Sequence, residues 1–230
     1  FLRYGGHLRA VPETCTLVVH GPRGEFHIDP AGLLALQHRL GAGGFTVDLP
    51  IRPGAPRREA QRLLDLSVQN AAWASTHCRH PDLPLWASLP VGAPLADLRK
   101  AVSQLESPRF SGIALGGLVP RFAGDELEYT VAAVREESQR PIHVFGIGTP
   151  ARLDRLWELG VASADASTWI RAALAGRLLG SDVPALPDPA PVEAMHLALH
   201  NLAACTGRTL PLTLAPGLYS GMGRKMHHAR

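Results

Sequence analysis

Along most of the chain, short apolar runs alternate with longer stretches in which apolar residues recur every three to four positions. The runs are Phe45-Thr46-Val47-Asp48-Leu49, Leu85-Trp86-Ala87-Ser88-Leu89, Gly112-Ile113-Ala114-Leu115-Gly116, Ile142-His143-Val144-Phe145-Gly146 and a weaker Ala162-Ser163-Ala164-Asp165. They read as strands. Between them the helical period predicts a helix from Arg58 to Thr76, with Ala60, Leu63, Leu64 and Val68 on one face. It predicts others from Leu95 to Leu105, Glu126 to Glu137, Pro150 to Leu159 and Thr168 to Leu179. The strand-to-strand spacing, about 20–40 residues, is that of βα units. Strands alternating with helices imply an α/β fold on a parallel sheet, doubly wound or closed as a barrel.

Two regions leave this rhythm. Thr16–His20 and Glu25–Ile28 flank Gly21-Pro22-Arg23-Gly24 and read as an inserted β-hairpin. Ser181 to Pro191 carries four prolines and reads as a linker, followed by a helix at about Val192 to Cys205 and a Gly-rich basic tail, Ser220 to Arg230, expected to be mobile. The expected organisation is a (β/α) domain over residues 1–180, then linker, helix and tail over 181–230.

Composition narrows the class. At 46% hydrophobic and 19% charged, the 230 residues suit a folded core and not a disordered chain. The net charge of +3, its excess arginine, permits a nucleic-acid partner but is weaker than a dedicated DNA-binding module shows. Cys15, Cys78 and Cys205 are odd in number and widely spaced, so no disulfide framework follows and a reducing cytoplasm is expected. No apolar run reaches the ~18 residues that span a bilayer, so no membrane partner is expected. Phe1–Gly6 has no signal-peptide core, and the first residue is not Met.

In a parallel barrel, chemistry sits at the C-terminal strand ends. Those ends carry Asp48, Leu89-Pro90, Gly116-Gly117-Leu118, Gly146-Ile147-Gly148 and Asp165. Glycines there let a flat ligand reach backbone N–H groups, and a strand-end carboxylate in an apolar rim is a nucleophile or a base-recognition group. Each has a plainer reading: a Gly-Gly after a strand is most often a turn, and Asp165 ahead of Ser167-Thr168 equally fits a helix N-cap. His196 and His200 lie one helical turn apart near Cys205, but two ligands make no structural zinc site. His77, Cys78 and His80 read as a polar helix end.

The ordered segments resemble those of the tRNA-guanine transglycosylases. Gly112 to Leu118 is similar to that family's glycine-rich strand end, His143 to Pro150 to its second such segment, and Leu159 to Ser167 to the segment bearing its nucleophilic Asp. Upstream, Leu36 to Ala42 followed by Val47-Asp48-Leu49-Pro50 resembles its base-binding segment, and Asp97-Leu98-Arg99 resembles a helix start. The likeness covers roughly residues 26–180. It implies a TIM-type barrel, with about five βα units readable and up to three strands unrecognised on the N-terminal side. It assigns Asp165 as the catalytic nucleophile. Asp48, Gly116, Gly117, Leu118 and Gly146 become base-binding residues, and Arg171 serves the sugar-phosphate. The implied reaction replaces guanine in tRNA by a 7-deazaguanine (queuine or preQ-type) base through a covalent aspartyl-ribose intermediate. Dimerisation, with a like or unlike chain, is expected by the same analogy.

Departures accompany the likeness. Arg3-Tyr4-Gly5-Gly6 stands where the family has Asp-Ser-Gly-Gly, Val91 stands at a base-reading Gln, and Ala162 replaces an Asp. The family's C-terminal zinc ligands are missing, so no cofactor or metal is expected. The alternatives are the same exchange in DNA, a non-catalytic transglycosylase-like partner subunit, or an unrelated barrel enzyme binding phosphate at Gly116-Gly117 and Gly146-Ile147-Gly148.

Overall fold

A computed structural model describes residues 7–11, 16–21, 24–41, 43–117, 126–182 and 185–207. Two compact units emerge, Phe1–Phe145 with Leu159–Ser163, and Gly146–Glu158 with Ala164–Arg230. Arg3, Cys15, Leu118 and the basic tail lie outside the described residues.

The first unit opens with an antiparallel sheet of β1 (His7–Val11), β2 (Thr16–Gly21) and β3 (Gly24–Ile28), in that order. The expected hairpin is β2–β3, paired from Leu17↔Ile28 to Gly21↔Gly24. Strand β1 was not anticipated. Helix α1 (Pro30–Leu40) was not anticipated either, although its ends are signalled. The Asp29 carboxylate accepts from Gly32 N at 2.8 Å, proline occupies the first turn, and Gly41 closes the helix at φ 72°.

The βα rhythm follows as β4 (Gly44–Phe45), α2 (Arg57–His77), β5 (Leu85–Pro90), α3 (Leu95–Ser103), β6 (Phe110–Gly116), α4 (Glu126–Glu137), β7 (Ile142–Val144), α5 (Pro150–Glu158), β8 (Ser163–Ala164) and α6 (Thr168–Leu174). The sheet order is β4-β5-β6-β7-β8, and β4–β5, β5–β6 and β6–β7 pair in parallel. Strands that neighbour in chain order, without a reversal, follow the barrel type of α/β sheet and not the doubly wound type. One face of the sheet is apolar: Leu85, Ala87, Leu89, Ile113, Leu115, Ile142 and Val144 are all buried, as are Leu63, Leu64 and Val68 of α2. Alternation puts larger rings on the other face. There Phe45 lies 5.0 Å from both His143 and Phe145, with Trp86 at 6.0 Å from Phe45.

Arginines tie the strand starts together. Arg109, just ahead of β6, donates to Leu83 O at 3.0 Å and His80 O at 2.6 Å, the carbonyls ahead of β5. Arg140, just ahead of β7, donates to Ser107 O at 3.0 Å and to Phe110 O. Arg135 reaches Arg140 O at 2.9 Å and Gly160 O.

In the second unit, α6 packs on α7 (Pro191–Cys205) through Ala173, Leu197 and Ala198, with Trp169 and Leu178 against them. Asn201 is fully buried and joins α7 to the turn after α6, donating to Trp169 O and Arg177 O and accepting from Leu179 N at 2.7 Å.

Several boundaries differ from expectation, two of them for a visible physical reason. The run Phe45–Leu49 is strand only at its start, β4 being Gly44–Phe45; past Thr46, whose N–H still reaches Trp86 O, side chains of α2 take the backbone groups of Val47 and Leu49. Helix α6 stops at Leu174 and not Leu179: Arg177 N turns back to Ala172 O at 2.8 Å, and Gly176 takes φ 66°, where a Cβ would lie 1.7 Å from Leu186 O. No described helix is long and apolar enough to cross a membrane.

Candidate active site

Asp48 stands past the end of β4, in a segment held from two sides. Thr46 N donates to Trp86 O at 3.0 Å, and the Thr46 hydroxyl accepts from Ser88 N at 2.9 Å, which ties the segment to β5. From α2, the buried Asn70 amide donates to Val47 O, and the buried Ser67 hydroxyl accepts from Leu49 N at 2.9 Å. The Asp48 carboxylate lies over the end of β6: a Cβ built on Gly116 would stand 2.5 Å from its Oδ2. A side chain at 116 would therefore displace the carboxylate from this position. Burial pushes the Asp48 pKa up from 3.8 to about 6, with its own backbone amide pulling the other way.

Gly117 takes φ 79°, a left-handed conformation that an L side chain resists. Val91, at the position where a base-reading Gln was expected, is buried, and its N–H closes the strand end on Gly116 O at 2.9 Å.

In the second unit, Asp165 is exposed and one of its carboxylate oxygens accepts from Gly146 N at 2.9 Å. It does not cap α6. The N-cap is Ser167, without a side-chain cap bond. Gly146, expected to face the base, thus gives its N–H to the candidate nucleophile. The loop is held on its other side by Cys205, whose thiol donates to Gly148 O at 3.1 Å and whose pKa burial pushes up. A Cβ on Gly148 would meet the Ala166 methyl at 2.2 Å, so the two loops touch because 148 is glycine. Asp165 opens on a cleft of about 590 Å³ lined also by Ile147, Trp157, Trp169, Leu202 and Cys205. Arg171, one turn into α6, lays its guanidinium back toward Ser167 O at 3.4 Å.

The expected site residues therefore divide. Asp48, Gly116 and Gly117 come together in the first unit, and Gly146, Asp165 and Arg171 belong to the second. Ser67, Asn70 and the two tryptophans carried no functional signal, since each fits an ordinary helix residue, and Cys205 was weighed only beside the His196 and His200 pair. Among the described residues no three His, Cys, Asp or Glu side chains converge as metal ligands.

The family model described as queuine tRNA-ribosyltransferase matches residues 7–204. The chain belongs to that family. Among curated relatives it is similar to the tRNA-guanine(15) transglycosylase of Pyrococcus furiosus, 27% identical over 154 residues, covering 64% of this chain and 26% of the relative. The enzyme of the same name from Pyrococcus abyssi is 26% identical over 153 residues, with the same coverage. That of Methanopyrus kandleri is 26% identical over 154 residues, covering 64% of this chain and 33% of the relative. The chain thus spans about a quarter to a third of these relatives' length.

Proposed function

We propose that this chain is a guanine transglycosylase, exchanging guanine in tRNA for a 7-deazaguanine base. The observation that carries the reading is Asp165: an exposed carboxylate, oriented by the Gly146 N–H and opening on a cleft, in a chain of this family. A carboxylate oxygen of Asp165 attacks C1′ of the target ribose, and the C1′–N9 bond breaks. Guanine leaves with the bonding pair and takes a proton at N9. The incoming base gives up its own N9 proton and attacks C1′, which releases the carboxylate. A covalent sugar intermediate divides one difficult displacement into two easier ones. The target base must be unstacked and read at its edge. The ionised Asp48 carboxylate accepts from the base N1–H and N2–H₂, the backbone N–H groups of Gly117 and Leu118 donate to O6, and Arg171 serves the sugar-phosphate. No cofactor enters this chemistry.

Asp165→Asn is expected to abolish covalent trapping on a guanosine-containing RNA, read as a denaturant-resistant adduct. An adduct formed by the variant at the wild-type rate rejects the assignment. Exchange of labelled guanine into tRNA, with DNA as the parallel arm, tests the polymer. The buried Val91 favours a second reading in which base or polymer preference differs from the relatives named above, and label entering DNA alone would establish it.

A further inference from the structure

The buried face of α2 is apolar at Ala60, Leu63, Leu64, Val68, Ala71 and Ala74, but two polar residues, Ser67 and Asn70, interrupt it. Three positions apart on a helix, they point to the same side. Ser67 is 0% exposed and Asn70 is 2% exposed. Their bonds reach the two backbone groups that bracket Asp48. The Asn70 Nδ2 donates to Val47 O, which belongs to the peptide plane preceding the Asp48 Cα. The Ser67 Oγ accepts from Leu49 N, in the plane that follows, and donates to Leu63 O at 2.8 Å. A planar peptide leaves only φ and ψ free at each Cα, so fixing both planes fixes the direction of the Cα–Cβ bond from which the carboxylate hangs.

The arrangement is poorly explained by stability alone. A carbonyl partner demands that Asn70 present its NH₂ to Val47, and its Oδ1 then has no protein partner among the described residues. A buried amide satisfied at one end costs the fold free energy that an apolar residue there would not. Strand pairing reaches only as far as Thr46, whose N–H and hydroxyl bond to β5, so it does not fix the two peptide planes around Asp48.

We propose that Ser67 and Asn70 are positioning residues that aim the Asp48 carboxylate at the substrate base. The inference rests on Asp48 being the base-reading acid. Without the clamp, the carboxylate samples directions in which it meets at most one of the two donors on the guanine edge.

The test is calorimetric affinity of the full chain for free guanine at 20 °C, where thermal melts verify that each variant is folded. Ser67→Ala and Asn70→Ala are each expected to weaken guanine binding about tenfold. Ser67→Cys, which keeps the size and a weak sulfur acceptor, gives an intermediate loss. It is the fallback if Ser67→Ala does not fold. In an Asp48→Asn background neither substitution weakens binding further, a coupling that a merely structural role would not produce. Folded variants that bind guanine within about twofold of wild type overturn the inference, as do losses that add in full to that of Asp48→Asn. If Asp48→Asn alone leaves affinity unchanged, the base-reading role of Asp48 fails, and the clamp fails with it.

Discussion

In its proposed role Asp48 must be ionised to accept two donors from a guanine edge, yet its site resists ionisation. Burial raises its pKa to about 6. Guanine affinity is therefore expected to hold above pH 7 and fall as pH drops through about 6, well above the range of an ordinary carboxylate. Isothermal titration between pH 7.5 and 5 reads this, and an acid limb near pH 4 would contradict it. The same displacement sets the sign for stability. A carboxyl whose folded pKa lies above its unfolded value binds its proton more tightly in the native state, so the fold loses stability as pH rises from about 4 through about 6. The whole displacement is worth roughly 3 kcal/mol as an upper bound. Asp48→Asn removes that penalty and should raise Tm by several degrees at pH 7.5, a gain that vanishes toward pH 4. Equal Tm values at pH 7.5 would show that the carboxylate is relieved by solvent. Both acids were legible as strand-end carboxylates in an apolar rim. What pattern could not show was contact: nothing at Gly116 announces that Asp48 lies over it, and nothing at Gly146 announces a bond to Asp165.

At the scale of elements, hydrophobic period located β5, β6, α2, α4 and α7 closely, because each buries a full apolar face or run. It overran where backbone geometry decides, as at Gly176, whose left-handed turn ends α6. It overlooked α1, where Asp29, Pro30 and Gly41 mark both ends but only Leu34 is buried. It was also blind to the arginines that join successive strand starts, since a guanidinium aimed at carbonyls looks in sequence like any surface charge. These bonds predict a cost. Arg140→Met keeps the apolar stem but leaves the carbonyls of Ser107 and Phe110 without their charged donor. A loss of about 1–3 kcal/mol is expected in urea denaturation, with the m-value unchanged. Since these bonds lie at the end of the sheet away from Asp48, guanine affinity of the folded variant should not move. Unaltered stability would mean that water replaces the arginine at no cost.

Across the whole molecule, the basic balance invites a nucleic-acid reading that the placement of arginines tempers. Arg109, Arg135 and Arg140 are directed at main-chain carbonyls. Arg52, Arg57, Arg99 and Arg155 pair with Glu59, Asp97, Glu136 and Glu158. Among the described residues, much of the positive charge thus has a partner within the fold, and the net excess is only +3. The reaction proposed above then calls for holding the polymer mainly by capturing one unstacked nucleotide, with few phosphates neutralised. Each phosphate neutralised on a single strand contributes about −0.7 to the slope of log K against log salt. The expected slope for a short guanosine-containing RNA is therefore shallow, between about −1 and −3, and Arg171→Ala should reduce its magnitude by about 0.7. Fluorescence anisotropy between 50 and 300 mM salt, at about these concentrations, covers the range over which counterion release is read. A slope steeper than about −5 would mean an extended phosphate track, and recognition would then rest on the polymer and not on the base contact proposed for Asp48.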